Sequence, residues 1–241
     1  MEAVETVPPA RGGVGALEPW YHVATAIALP PARLWFDWRF EDLDCIPADG
    51  PAIVACNHIS YLDPFANALA VVRAGRRPRF LAKEELFRVP VVGTALRGAG
   101  QIPVVRGSND PSPLRRLMKA LTEGEAVLIY PEGTVTKRAD HLPMDGKTGA
   151  VRLSLATGVP IIPMASWGSQ AVWQKSGKGS LKYGRPIWMK AGPPIDLSAR
   201  RGDADDHDAL KQMTANVMTA LTALTEDLRS RYPQRWAADA G

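Results

Sequence analysis

The chain predicts an α/β fold with a mostly parallel central sheet and crossover helices, and three observations predict it. Apolar runs of strand length alternate with stretches of about ten residues in helical spacing. Gly and Pro punctuate the junctions between them. With 241 residues, 46% hydrophobic and 22% charged, the chain can bury a substantial core and reads as one domain with terminal additions.

In chain order, residues 1–17 are small, Gly- and Pro-containing and read as a flexible N-terminus. Residues 18–44 crowd Trp20, Tyr21, Trp35, Phe36, Trp38 and Phe40 into a segment read as interrupted helix. Its aromatics suit contact with a membrane interface or packing on the domain's own core, two readings of equal weight. Its longest uncharged run, Pro19 to Ala32, is broken by Pro30 and Pro31 and is too short to span a bilayer. No secretory leader is evident. Residues 45–232 form the α/β domain and 233–241 a tail.

Within the domain, Ile53 to Ala55 predict a first buried strand and Phe65 to Ala74 a helix that Gly75 stops. Arg79 to Ala82 and Gly100 to Arg106 predict strands. Asp110 to Gly124 predicts a helix with Leu114, Leu117, Met118 and Leu121 at helical spacing. Ala126 to Tyr130 is a compact strand, Thr148 to Thr157 a helix closed by Gly158, and Pro160 to Ala165 a further strand. Leu181 to Lys190 reads as a strand near the sheet edge. Asp205 to Arg231 is a long helix with one apolar side, Leu210, Met213, Val217, Leu221, Leu224 and Leu228.

Charge is distributed unevenly. The formal net charge is +4, yet residues 1–50 carry −5, residues 203–241 carry −3, and the centre carries +12. A positive centre between acidic ends suits an anionic substrate or an anionic membrane surface. Two cysteines, Cys45 and Cys56, are too few for a disulfide framework and fit a reducing compartment.

The chemistry concentrates between Pro51 and Phe65. Asn57 and His58 emerge at the end of the first strand, and Asp63-Pro64 is a helix-start signal in which the carboxylate can cap backbone N–H groups. His58 and Asp63 then face each other across one strand-to-helix turn. A carboxylate so placed holds one imidazole nitrogen protonated and leaves the other free to take a proton.

Asn57-His58-Ile59-Ser60-Tyr61-Leu62-Asp63 resembles the N-H-x-x-x-x-D signature of the glycerolipid acyltransferases, the lysophosphatidic acid acyltransferases. Three further segments resemble that family's later blocks in order: Phe80 to Arg106, Tyr130-Pro131-Glu132-Gly133-Thr134, and Val159-Pro160-Ile161-Ile162-Pro163. The resemblance implies direct acyl transfer from acyl-CoA or acyl carrier protein to the free hydroxyl of lysophosphatidic acid, giving phosphatidic acid. His58 would be the general base and Asp63 its orienting partner. It implies no cofactor or metal, the thioester being a co-substrate, and a protein peripheral to the cytoplasmic face of the cell membrane. Arg106 matches a basic position of the second block and Lys83 another, for the acceptor's phosphate. Gly133 lets backbone approach a ligand and Thr134 can donate to a phosphate oxygen. Glu132 is expected to fix Arg106 or another cation. Where the family often has Arg after Glu-Gly-Thr this chain has Val135, so Lys137 or Arg138 is the substitute charge, and acceptor identity is what this departure leaves open.

Other classes fit less well. Cys56 beside His58 offers an acyl-thioester route, against which stands its place in an apolar run. The basic centre matches no nucleic-acid module. Gly146-Lys147-Thr148 has His141 where a phosphate loop needs its first Gly, the four histidines show no paired ligand spacing, and no G-x-S-x-G occurs. Another lysolipid or glycolipid acceptor, or a non-enzymatic lipid-binding relative, are the remaining alternatives. The last would require a broken His-Asp pair, which is intact here.

Overall fold

A computed structural model describes residues 34–105, 110, 112–174 and 176–240, the last three without their side chains. Arg106 and residues 1–33, which include the first part of the aromatic segment, lie outside the described residues. Seven strands are described: β1 Phe36–Glu41, β2 Ala52–Cys56, β3 Pro78–Lys83, β4 Ile102–Val104, β5 Ala126–Ile129, β6 Ile161–Trp167 and β7 Arg185–Ala191. The helices are α1 Asp63–Arg73, α2 Val92–Gly98, α3 Ser112–Thr122, α4 Gly149–Thr157, α5 His207–Arg231 and α6 Gln234–Ala240.

The strands form one sheet in the order β1-β7-β6-β2-β5-β3-β4. Pairing is parallel everywhere except between β6 and β7. The centre is β2, every residue of which is buried. Its unbroken apolar run, Ala52-Ile53-Val54-Ala55-Cys56, is what a strand covered on both faces requires. One face packs Ile53, Ala55 and Val127 against α3, α4 and α5 through Leu117, Leu153, Met213 and Leu221. The other packs Val54, Cys56 and Leu128 against Ala66 and Ala70 of α1.

The aromatic segment departs from the expected helix. Most of its described part is strand β1, in parallel register with β7 from Phe36 opposite Arg185 to Glu41 opposite Lys190. The reason is its period: Phe36, Trp38 and Phe40 alternate with Asp37, Arg39 and Glu41, so one face of a strand carries all three rings. Those rings pack on the core cluster around Val54 and Ile187. β1 and β4 are the edge strands, and β7 lies one place in from β1. The long C-terminal helix matches expectation. Asp206 caps it by accepting from the N–H groups of Asp208 and Ala209, and Leu210, Met213, Val217, Leu221 and Leu228 are buried along one side.

Strand direction places the site. Five strands, β2 to β6, run the same way, so their carboxyl ends share one edge of the sheet. Because β7 runs against β6 and β1 runs with β7, the starts of β1 and β7 lie at that same edge. The chain goes from β2 out to β3 and β4, back through β5, and then to β6 on β2's other side. Open α/β sheets bind ligands in the crevice such a reversal leaves outside the carboxyl ends.

Candidate active site

His58 sits two residues past the end of β2, in that crevice. Its backbone is held from both sides by the loop after β5. The His58 N–H donates to Glu132 Oε1 at 2.9 Å, and the His58 carbonyl accepts from the Thr136 N–H at 2.7 Å. The residue before it, Asn57, ties β2 to β6: its Oδ1 accepts from the Ser166 N–H at 2.8 Å and its Nδ2 donates to the Ser166 carbonyl at 3.0 Å.

Asp63 is fully buried and acts only as an acceptor. Oδ2 receives the N–H groups of Ile59 at 2.6 Å and Ser60 at 2.7 Å, and lies 3.0 Å from His58 Nδ1. Oδ1 receives the Ser169 hydroxyl at 2.6 Å and the Ser166 hydroxyl at 3.4 Å. A carboxylate so surrounded by donors places the imidazole proton on Nδ1 and leaves Nε2 as the acceptor. Among the described residues Nε2 has no hydrogen-bond partner, and the residue is 7% exposed. The ring lies against Tyr130, with centroids 4.4 Å apart, and the Tyr130 hydroxyl meets Asn67 Nδ2 at 3.1 Å. Burial holds the Tyr130 phenol well above its usual range, so the ring beside His58 is neutral.

One expectation about these carboxylates is corrected. Asp63 does not cap its own helix: Leu62 is at the cap position, and the carboxylate instead gathers the N–H groups of the preceding turn. Glu132 fixes no cation among the described residues, and Arg106, the partner expected for it, lies outside them. Its oxygens accept the backbone N–H groups of His58 and Met144, the latter at 3.0 Å. Burial raises its pKa, against which the two N–H donors and the nearby His58 work. The physical reason for these two bonds is position: a buried side chain flanking the His58 loop satisfies backbone donors that water cannot reach.

The basic residues divide. Arg138 is held bidentate by Asp140, Nε to Oδ1 at 2.8 Å and Nη2 to Oδ2 at 2.6 Å. Lys137 is exposed. Lys83 is exposed at the end of β3, and the neighbouring Glu84 pairs with Arg88. Val135 is buried at 3% exposure. Thr134 is half-buried in the turn. Gly133 has φ +69°, and its N–H is committed to the Tyr130 carbonyl at 2.9 Å. A Cβ on Gly133 would come within 3.1 Å of Lys147 Nζ. What approaches the glycine is therefore an amine that the motif reading missed. Its backbone N–H donates to the Pro131 carbonyl at 2.9 Å, which keeps it beside the turn.

Cys56 is fully buried in the apolar cluster under α1, and burial pushes its thiol well up. It ends β2, and His58 lies beyond the strand, so strand alternation does not extend to the pair. No group of three His, Cys, Asp or Glu residues that could hold a metal occurs among the described residues. No described helix is long and apolar enough to cross a membrane.

A family model described as Acyltransferase matches residues 37–167. Over 166 residues the chain is 30% identical to the chloroplastic 1-acyl-sn-glycerol-3-phosphate acyltransferase BAT2 of Brassica napus, covering 64% of this chain and 46% of that protein. Over 144 residues it is 31% identical to the 1-acyl-sn-glycerol-3-phosphate acyltransferase of Bacillus subtilis strain 168, covering 59% of this chain and 69% of that one. The chain thus spans under half the length of the plant relative and over two thirds of the bacterial one. The crystal structure of PlsC from Thermotoga maritima, a 1-acyl-sn-glycerophosphate acyltransferase, superposes with a TM-score of 0.66 at 22% identity, over 92% of this chain and 86% of that one, and is similar in fold.

Proposed function

Because this chain belongs to the acyltransferase family, we propose that it moves a fatty acyl group from acyl-CoA or acyl carrier protein to the free hydroxyl of lysophosphatidic acid. The single observation that carries the mechanism is the Asp63 Oδ2 to His58 Nδ1 contact at 3.0 Å, within a carboxylate that four further donors lock. Nε2 takes the proton of the acceptor hydroxyl as its oxygen attacks the thioester carbonyl. The tetrahedral intermediate expels the thiolate, which recovers the proton from Nε2, and the ester remains. Asp63 holds the ring in the productive tautomer and stabilises the imidazolium between the two transfers. Named relatives that act on 1-acyl-sn-glycerol-3-phosphate support the acceptor assignment.

For the acceptor's phosphate, Lys83 and Lys137 have no ion-pair partner among the described residues, and Lys147 Nζ hangs over Gly133 beside the loop that grips His58. Arg106 is a fourth candidate by its place after β4. One observation favours a second reading, an acceptor without a phosphate monoester: buried Val135 stands where the family often has Arg, and Arg138 is neutralised by Asp140.

The test offers the purified chain several lysolipids and one acyl-CoA. Lysophosphatidic acid is the preferred acceptor, His58→Ala lowers turnover by about 10²- to 10⁴-fold, and Lys147→Ala raises KM for the phosphate-bearing acceptor with little change in kcat. Equal use of neutral lysolipids transfers the assignment to the second reading. Full turnover by His58→Ala removes the mechanism.

A further inference from the structure

Tyr130 makes two contacts to which the acyl-transfer scheme gives no task. It follows β5 directly, and β5 lies beside β2 with Ile129 opposite Ala55, so the Tyr130 ring arrives next to the loop that carries His58. The centroids of the two rings are 4.4 Å apart with 32° between their planes, so the phenol covers one face of the imidazole instead of meeting its edge. The phenol oxygen accepts from Asn67 Nδ2 at 3.1 Å. Asn67 lies four residues after Asp63 on α1, one turn along the same side of the helix. One helix side therefore holds both rings: Asp63 takes the imidazole at Nδ1, and Asn67 takes the phenol.

Asn67 is out of place as packing. It is fully buried on a helix whose Ala66 and Ala70 enter the apolar cluster, and its Oδ1 has no hydrogen-bond partner among the described residues. A half-satisfied amide in such surroundings is destabilising, and a Leu of similar size would leave no polar atom stranded. What the amide does accomplish is the bond to the phenol, which fixes the ring where it covers His58.

We propose that Tyr130, steadied by Asn67, is a positioning residue whose ring face stabilises the imidazolium that His58 becomes when it takes the acceptor's proton. An aromatic face carries the negative part of a quadrupole, and a cation within about 6 Å of its centroid is attracted to it. A neutral imidazole gains far less. The contact therefore strengthens as the proton moves, and it speeds that step instead of tightening the ground state. Asp63 meets the same charge at the ring's edge through Nδ1, Tyr130 meets it at the face, and Nε2 is left for the acceptor. Burial keeps the phenol protonated, so no second anion arises beside Asp63. The inference rests on the reading of His58 as general base, and its test separates the two.

The full chain is assayed with the lysolipid it turns over fastest and one acyl-CoA, and kcat is taken per folded molecule. Tyr130→Leu is expected to lower kcat by about three- to thirtyfold, the range of a desolvated cation–π contact, with KM moved by less than about twofold. Tyr130→Phe keeps the ring and restores kcat to within about threefold of the native chain. Phenylalanines bearing one, two and three fluorines at position 130 nearly keep the ring's size while draining its face, so log kcat falls stepwise along the series. Asn67→Leu removes the stranded oxygen together with the tie to the phenol: Tm changes little while kcat falls about threefold. Combined with Tyr130→Phe it is no slower than the slower single variant, because one tie is lost once. A flat kcat across the fluorinated series, or Tyr130→Leu as fast as Tyr130→Phe, makes the ring mere packing and overturns the inference. Native kcat in Asn67→Leu overturns the part given to Asn67. Full turnover by His58→Ala removes the base itself, whereas an inactive His58→Ala beside a flat series removes only the role of the ring.

Discussion

Replacing Asp63 by Asn separates the chemical role of the carboxylate from its structural one. Asp63 accepts on both oxygens, N–H donors on Oδ2 and hydroxyls on Oδ1. In Asp63→Asn the amide oxygen can face Ile59, Ser60 and His58, while its NH₂ faces the Ser166 and Ser169 hydroxyls, which rotate to accept. Ser166 keeps Asn57 Oδ1 as an acceptor, so the Ser169 hydroxyl proton is the one buried donor that loses its acceptor. The two backbone N–H bonds drop from charge-assisted to neutral, a loss of about 1 kcal/mol each, partly offset because no charge is desolvated. A net cost of ~2 kcal/mol lowers Tm by about 4–8 °C in a chain of this size. Catalysis suffers more. An imidazolium and a carboxylate 3.0 Å apart attract by about 5 kcal/mol at an effective dielectric constant of ~20, so removing the charge slows turnover by up to about four decades. The assay is kcat per folded molecule, with Tm measured alongside. A variant with the small Tm loss and kcat within tenfold of the native chain would refute the orienting role and leave Asp63 a purely structural acceptor. Asp63→Ala is the poorer experiment, since it strands two buried N–H groups at about 1–3 kcal/mol each.

Three other outcomes follow from the same geometry. Glu132→Gln presents an NH₂ to one of the two backbone N–H groups that the carboxylate now accepts; one bond is lost at about 1–3 kcal/mol, the His58 loop loosens, and turnover falls at least ~10-fold, measured by steady-state kinetics beside a thermal melt. Cys56→Ser leaves turnover per folded molecule within about twofold, because a buried thiol with a raised pKa is not a nucleophile; an acyl adduct on Cys56 by mass spectrometry would contradict this. In acid, the cluster of Glu41 on β1, Lys190 on β7, and Asp227 and Arg231 on α5 should weaken. The Asp227 carboxyl is held down to about 2, first by Arg231 and then by Lys190, and Glu41 is lowered chiefly by Arg231. Both carboxylates sit below their unfolded values, so their contribution is present above about pH 4 and disappears as pH falls toward 2. These groups are partly exposed, which limits the effect to roughly 1 kcal/mol and makes it salt-sensitive. Denaturant unfolding of Asp227→Asn across that window should show a flatter pH slope than the native chain.

Much of the fold was legible because buried parallel strands and amphipathic helices write strong periods. β2, β5 and β6, and helices α1, α3, α4 and α5, lie where apolar runs and Gly or Asp boundaries place them. β1 is the exception: its density of rings suits an interfacial helix, although Phe36-Asp37-Trp38-Arg39-Phe40-Glu41 alternates strictly, as a strand requires. The connection from β3 to β4 folds into a 3₁₀ turn over Glu84–Arg88 and then α2, each too short for helical spacing to register. In the site, the His58 and Asp63 pairing was legible from the strand-to-helix junction. Ser166, Ser169, Tyr130 and the backbone partners of Glu132 were not, since these contacts join groups from seventy to more than one hundred residues apart. Lys147 was in view only as part of a failed phosphate-loop match, and its place over Gly133 exists only once the 131–133 and 144–147 segments pair.

The ordered blocks make physical sense as one hydrogen-bonded unit around His58. The first supplies the ring and the acceptor for its Nδ1–H. The third, Tyr130 to Thr134, supplies a ring face and the Glu132 carboxylate, and Thr136 two residues later completes the grip on the His58 backbone. The strand begun by the fourth delivers Ser166, which clamps Asn57 at 2.8 Å, and Ser169 follows it to reach Asp63 at 2.6 Å. A general base must stay within tenths of an ångström of its substrate proton, and a single turn after a strand cannot hold that position alone. Fixing one residue from β2, β5 and β6 together makes their three carboxyl ends move as one body. Substitutions at Glu132 and at Ser169 should therefore be non-additive in kcat: each alone frees the same imidazole, and the double variant loses little more than the worse single one. Additive losses would mean that the two residues act on separate steps.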